Sequence, residues 1–219
     1  MRRFSSVIAA LALCALSVPA LAATQVADSG FETQAAGVGG FCYFGAGGCL
    51  PGAWSGLNGG GLQDETNGAW PGASTPDGSK YGFIQNTGYF EQTFTANDTG
   101  IFNLSWLEAG RPAGCCQGNQ SYNVLLNNLV VANSSTATSQ PFGAASSANF
   151  NLVSGNAYTL RFQGLSTGPD NTAFIDRVSL AYVGPSGAVP EPGTWGLMIA
   201  GLGGVGAMLR RRRISAVAA

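Results

Sequence analysis

The chain contains no histidine, and that one absence removes Ser-His-Asp and Cys-His catalysis together with every histidine-based metal site. Charge is scarce too: Asp, Glu, Lys and Arg make up 10% of the 219 residues, so any chemistry would have to rest on a few carboxylates. Basic residues are scarcer still away from the two ends. Between Thr24 and Gly187 only Lys80, Arg111, Arg161 and Arg177 stand against ten Asp and Glu, which leaves that stretch at −6. A nucleic-acid partner needs basic patches that displace counterions, and this sign argues against one. Neutral glycans and divalent cations are compatible with it. The same stretch lacks any amphipathic helical period and is rich in Gly, Asn, Ser and Asp.

Long apolar runs occur only at the ends. Arg2 and Arg3 precede a run from Val7 to Leu16, and Ala20-Leu21-Ala22 then supplies the small residues a signal peptidase reads. The pattern predicts a signal peptide over 1–23, taken out by the general secretion machinery and cut near Ala22 or Ala23. The run is shorter than the ~20 residues a membrane span needs. Leu13 stands before Cys14 where a lipoprotein would carry a small residue. At the other end, Thr194 to Leu209 are sixteen residues without a charge, bounded by Pro190-Glu191-Pro192 and by Arg210, Arg211, Arg212 and Arg213. As a helix this run reaches roughly 24 Å against a hydrocarbon core of ~30 Å, enough for a thin or locally thinned bilayer. The arginines stay cytoplasmic and act as the membrane stop, which puts the acidic body outside. The chain thus divides into a signal peptide at 1–23, a β-rich body at 24–183, a linker at 184–193 and a transmembrane sorting helix with its Arg-rich tail at 194–219.

A Pro-Glu-Pro motif, a short apolar helix and an arginine cluster in that order resemble the PEP-CTERM sorting signal of Gram-negative bacteria. The resemblance implies recognition by an exosortase, a membrane cysteine protease that cuts near the motif. Pro190, Glu191 and Pro192 would be the recognition element and the four arginines the stop. It also implies a transient membrane anchor, then delivery to the cell surface or outside, commonly beside exopolysaccharide production.

Within the body, period-two patterns separated by turn residues predict an all-β domain. Phe102, Leu104 and Trp106 share one face of a run; Tyr122, Val124 and Leu126 share another, and Asn127-Asn128 offers a tight turn into Leu129-Val130-Val131. Phe150 and Leu152, then Tyr158, Leu160 and Phe162, repeat the pattern across Ser154-Gly155-Asn156. Thr172 to Val183 aligns Phe174, Asp176, Val178, Leu180 and Tyr182 on one face. About seven to nine strands suit a two-sheet sandwich. Asp176 falls on the apolar face of its run and needs a partner there.

Asp28-Ser29-Gly30-Phe31-Glu32, Trp54, Asp77 to Gln85, Phe90 to Phe94 and Phe174 to Leu180 resemble pieces of galactose-binding-like jelly rolls, the fold of many carbohydrate-binding modules. The resemblance implies a jelly-roll sandwich and puts Glu32 and Asp176 forward as ligands of a structural calcium, with backbone carbonyls completing its oxygen shell. A hydrogen bond or an ion pair with an arginine is the alternative for Asp176.

Once the signal peptide is removed, Cys42, Cys49, Cys115 and Cys116 remain, an even number that favours disulfides in an exported protein. Cys42 with Cys49 would close a short Gly-rich loop and leave Cys115-Cys116 as a strained vicinal bridge. Two crossed bonds, pinning loop 41–50 to loop 110–118, are favoured here because adjacent cysteines seldom meet disulfide geometry. Zinc on four cysteines lacks the usual spacer. Trp54, Trp70 and Tyr89 sit among Gly, Pro and Asn. Their rings could stack on sugars, with Asn67 and Arg111 among the polar neighbours, or could cap the core. The function expected is a non-catalytic, glycan-binding surface or matrix protein. The alternatives are a purely structural matrix component and a glycoside hydrolase pairing Asp64 or Glu65 with Glu108.

Overall fold

A computed structural model of the protein describes residues 26–36, 40–45, 48–66, 73–112, 118–186, 193 and 195–204. Twelve strands run through them: β1 (Phe41–Tyr43), β2 (Ser55–Leu57), β3 (Gly60–Asp64), β4 (Lys80–Gln85), β5 (Tyr89–Thr95), β6 (Gly100–Gly110), β7 (Gln120–Leu126), β8 (Leu129–Thr136), β9 (Gly143–Ser146), β10 (Phe150–Leu152), β11 (Ala157–Gly164) and β12 (Thr172–Gly184). They form two antiparallel sheets. One holds seven strands in the order β1-β3-β4-β12-β6-β10, with β9 also paired to β6; the other is β2-β5-β11-β7-β8. The extra strands beyond the number expected are β1, β2 and β9, each too short to show a period in sequence.

Alternation builds the core. Phe102, Leu104 and Trp106 from β6 meet Tyr122 and Val124 from β7 and Leu160 and Phe162 from β11, all of them buried. Asn127 and Asn128 take φ values of 47° and 66°, the left-handed pair that a two-residue hairpin turn requires and that Asn tolerates, so β7 and β8 pair directly. Ser154-Gly155-Asn156 does something else. It carries the chain from β10 in one sheet to β11 in the other.

The seven-stranded sheet is buried on both faces around β3, β4 and the first half of β12. Phe83, Tyr81, Phe174 and Ala109 form a second apolar cluster on its outer side, joined by Tyr43, Ala73 and Phe142. This explains why β3 and β4 are buried at consecutive positions rather than at alternate ones. It also corrects the expected face of β12. Its register against β6 shifts between Asp176 and Ser179, with Arg177 at φ 50°, a bulge that reverses the parity of the strand. Ala173, Ile175, Val178 and Leu180 therefore point into the main core, whereas Phe174 belongs to the outer cluster.

Cys42 bonds to Cys49, with Cα atoms 5.0 Å apart, which overturns the crossed pairing. Gly45 and Gly48, at φ 73° and 121°, fold the chain back so that Gly48 bridges Tyr43 beside the bond. Cys115 and Cys116 lie outside the described residues, as does the signal segment. Residues 195–204 are helical and exposed. Among the described residues no helix is long and apolar enough to cross a membrane. Pro190, Glu191, Pro192 and Arg210 to Arg213 also lie outside those described.

Candidate functional site

Three polar constellations stand on this frame. The first is a corner where β12 meets the segment from Val26 to Gln34. Val178 donates its N–H to Ser29 O at 2.9 Å, and Gln92 clamps both backbone groups of Ala27, at 2.9 Å and 3.0 Å. These bonds fix Glu32 and Asp176 near one another. A Cβ built on Gly30 would lie 3.7 Å from Asp176 Oδ1, 3.9 Å from Asp77 Oδ2 and 3.9 Å from Glu32 Cγ, so three carboxyl side chains surround one glycine. Gly78 is needed for a related reason: at φ 65° it leaves room for the Glu32 carboxylate, which a Cβ would meet at 2.3 Å.

Electrostatics single out Asp176. It is wholly buried; Oδ1 accepts the Arg177 N–H at 2.7 Å, and Oδ2 has no partner. Burial pushes its pKa up to about 7, with the charges of Asp77 and Glu32 adding to the rise and the Arg177 N–H and guanidinium opposing it. Glu32 is better satisfied. Its Oε1 accepts the N–H groups of Ser79 and Lys80 at 2.9 Å and 2.8 Å, and Lys80 Nζ donates to Glu32 O at 2.8 Å. The donor set is all oxygen, and the unpartnered Oδ2 suits a hard cation or a proton. The carboxylates are spread more widely than a coordination shell: among the described residues no group of three or more Asp, Glu or Cys is close enough to hold a metal ion.

The second constellation joins Arg111, Asp170, Gln85 and Tyr43 at one end of the seven-stranded sheet. Arg111 forms an ion pair with Asp170, Gln85 donates to the other Asp170 oxygen, and Tyr43 OH donates to Gln85 Oε1 at 2.8 Å. With 8% of its surface exposed, the Arg111 guanidinium is committed to this network rather than open to a sugar. Trp54 is likewise a core residue. It is 1% exposed, its ring stacks on Phe31 at 5.0 Å, and Nε1 donates to Asp28 O at 2.9 Å, so neither face is left for a ligand.

The third lies on the outward face of the five-stranded sheet. Tyr89 opens β5 instead of sitting in a loop, and Arg161 on β11 stacks its guanidinium over the ring at 4.2 Å. Arg161 also donates to Glu91 Oε2 through Nε at 2.7 Å and Nη2 at 2.6 Å. The ring is half-buried and its position is fixed. Asn67 and Trp70 lie outside the described residues. Glu91 and Arg161 are outward-face residues that the inward apolar pattern of β5 and β11 does not mark; their i, i+2 spacing from Tyr89 and Gln163 is the signal the residues carry.

The carboxylate pair of the hydrolase alternative is not assembled. Glu108 points between the sheets, where it accepts Ser134 Oγ at 2.7 Å, Trp106 Nε1 at 3.4 Å and the Tyr122 hydroxyl. Asp64 is on β3, three strands from β6, which at ~4.8 Å per strand is roughly 14 Å away and beyond the ~9.5 Å limit for such pairs. Glu65 is held in its own turn by Thr75.

The fold has solved counterparts. A cyclase from Fischerella sp. TAU, in complex with 4-(1H-indol-3-yl)butan-2-one, superposes with a TM-score of 0.53 at 15% identity, over 79% of this chain and all of that one. The module TmCBM61, in complex with beta-1,4-galactotriose, gives 0.46 at 12% identity, over 74% and 99%. A family 35 carbohydrate-binding module from Clostridium thermocellum gives 0.42 at 17%, over 58% and 90%. These likenesses are of fold alone: the described body is a two-sheet antiparallel β-sandwich. No curated protein matches the chain. What marks this protein individually is its tail, where residues 188–213 match the PEP-CTERM protein-sorting motif.

Proposed function

We propose that this chain is an exported cell-surface or extracellular-matrix protein, sorted by an exosortase, whose sandwich binds glycan without catalysis and serves exopolysaccharide. The observation that carries the sorting is the motif over 188–213, which places Pro190, Glu191 and Pro192 ahead of the apolar run and the arginines behind it. Glycan binding is supported by Tyr89, an aromatic ring fixed on an open sheet face beside a neutralised ion pair. Glu32 and Asp176 are the residues that would hold a structural calcium, with Asp176 Oδ2 as the oxygen most in need of it. Bound there, the ion would supply stability and no reaction.

Expression in a Gram-negative host with and without an exosortase tests the sorting. The wild-type chain should lose its tail only where the enzyme is present, read by intact mass, and replacement of Pro190, Glu191 and Pro192 by alanine should leave it full-length in the membrane fraction. A tail that is kept, or lost, regardless of the enzyme overturns the reading. Silence on a glycan array would reduce the sandwich to a structural component.

A further inference from the structure

The register of the five-stranded sheet sets one row of outward side chains across every strand. Leu57 on β2 faces Tyr89 on β5, Tyr89 faces Gln163 on β11, Gln163 faces Asn123 on β7, and Asn123 faces Asn133 on β8. Their strand neighbours Phe90, Phe162 and Val124 are buried, so the row stands on the solvent side.

The rows beside it satisfy themselves. On one side Glu91 is taken by Arg161, and beyond that pair the hydroxyls of Thr93 and Thr159 share a bond of 2.9 Å. On the other, Ser121 Oγ donates to Ser135 Oγ at 3.3 Å. Within the row itself, Asn123 is only partly exposed and its Oδ1 is buried without a protein partner, so it is the least open member of the row. Gln163 uses only its Nε2, on the carbonyls of Thr87, Gly88 and Gly164, which holds the amide in place and leaves Oε1 without a donor among the described residues. The Tyr89 hydroxyl and the Asn133 amide likewise bond to no described residue.

We propose that this row binds a neutral polysaccharide laid across the strands, with sugar faces on Leu57 and Tyr89 and hydroxyls on the amides of Gln163 and Asn133. The proposal rests on the glycan-binding reading above and names its surface and ligand class. Amides both donate and accept, as a sugar hydroxyl does, whereas a row chosen for an anionic polymer would carry cations. Among the described residues the charges in the rows beside it are Glu91 and Arg161, which cancel each other, and the excess of acids in the body repels polyanions. Stacking on Arg161 fixes the Tyr89 ring before a ligand arrives, which lowers the ordering cost of binding. Four strand spacings of ~4.8 Å give a track of roughly 19 Å, long enough for about four sugars end to end.

The test uses the full chain in a zwitterionic detergent, against immobilised neutral polymers (a galactan, a β-glucan and a mannan) and against alginate as the acidic probe. One neutral polymer should retain the protein, with little sensitivity to salt, and affinity for its oligosaccharides should rise up to about four units. Tyr89→Ala and Asn133→Ala should each weaken binding at least about ten-fold with the melting temperature unchanged; Asn133 is exposed on an edge strand, so its variant folds whatever happens to the other. Wild-type affinity in both variants, with loss on Trp70→Ala, overturns the row and leaves the glycan reading standing. Retention by alginate alone overturns the neutral class. Retention by none of the polymers brings down both.

Discussion

Two aromatic residues that look alike in the sequence have opposite roles, and their surroundings decide which. Trp54 is enclosed by Phe31, Phe90 and Phe162, and truncating such a ring leaves a cavity: Trp54→Ala should cost about 3–5 kcal/mol and lower the melting temperature sharply. Tyr89→Ala should leave the melt nearly unchanged. Thermal scans of the two variants side by side check this, and equal losses would contradict the assignment. Asp176 is decided by solvation. Its carboxyl carries a pKa of about 7 in the folded chain against roughly 4 when unfolded, so the folded state holds the proton more tightly. Stability from this group is therefore fully present below about pH 4 and is lost as pH rises through about 7, a fall of up to roughly 4 kcal/mol. Denaturant titration of chelator-treated protein at pH 5 and pH 8 should show the decline, and Asp176→Asn should flatten it. Added calcium should restore stability at pH 8 in the wild type alone; no response to calcium would remove the metal from Glu32 and Asp176.

At the scale of elements, the paired strands β7 and β8 and the long strands β6, β11 and β12 were legible because inward apolar residues alternate with polar ones around Asn-rich turns. What escaped was whatever does not alternate. The bulge at Arg177 put Phe174 and Val178 in different clusters although their spacing is even, and nothing in the residues Asp176-Arg177-Val178 announces an extra position in the ladder. For the disulfide the residues left Cys42–Cys49 open beside the favoured crossed pairing, and the glycine turns at Gly45 and Gly48 are what close that short loop. The role of Glu108 became visible only once three strands were assembled around it. It joins β6 to β7 and β8 through Tyr122 and Ser134, and Tyr122 also accepts Trp106 Nε1 at 2.7 Å. Glu108→Ala would strand those hydroxyls between the sheets, with an expected loss of about 3 kcal/mol in denaturant unfolding. Glu108→Gln should recover part of it, since the amide oxygen still accepts.

For the molecule as a whole, the sequence alone was most informative at the tail, where an ordered set of motif, apolar run and arginines leaves few alternatives. It was least informative about the binding surface, because a row across five strands joins residues from Leu57 to Gln163 that share no local pattern. The order of strands has a mechanical consequence. The chain leaves the sandwich from β12, which lies between β4 and β6 rather than at a rim. If the tail is held as proposed, drag on the body loads the long β12–β6 ladder lengthwise, from Ala173 to Gly184, so that its hydrogen bonds share the force at once. A tether leaving from β1 or β8 would instead unzip its sheet one bond at a time.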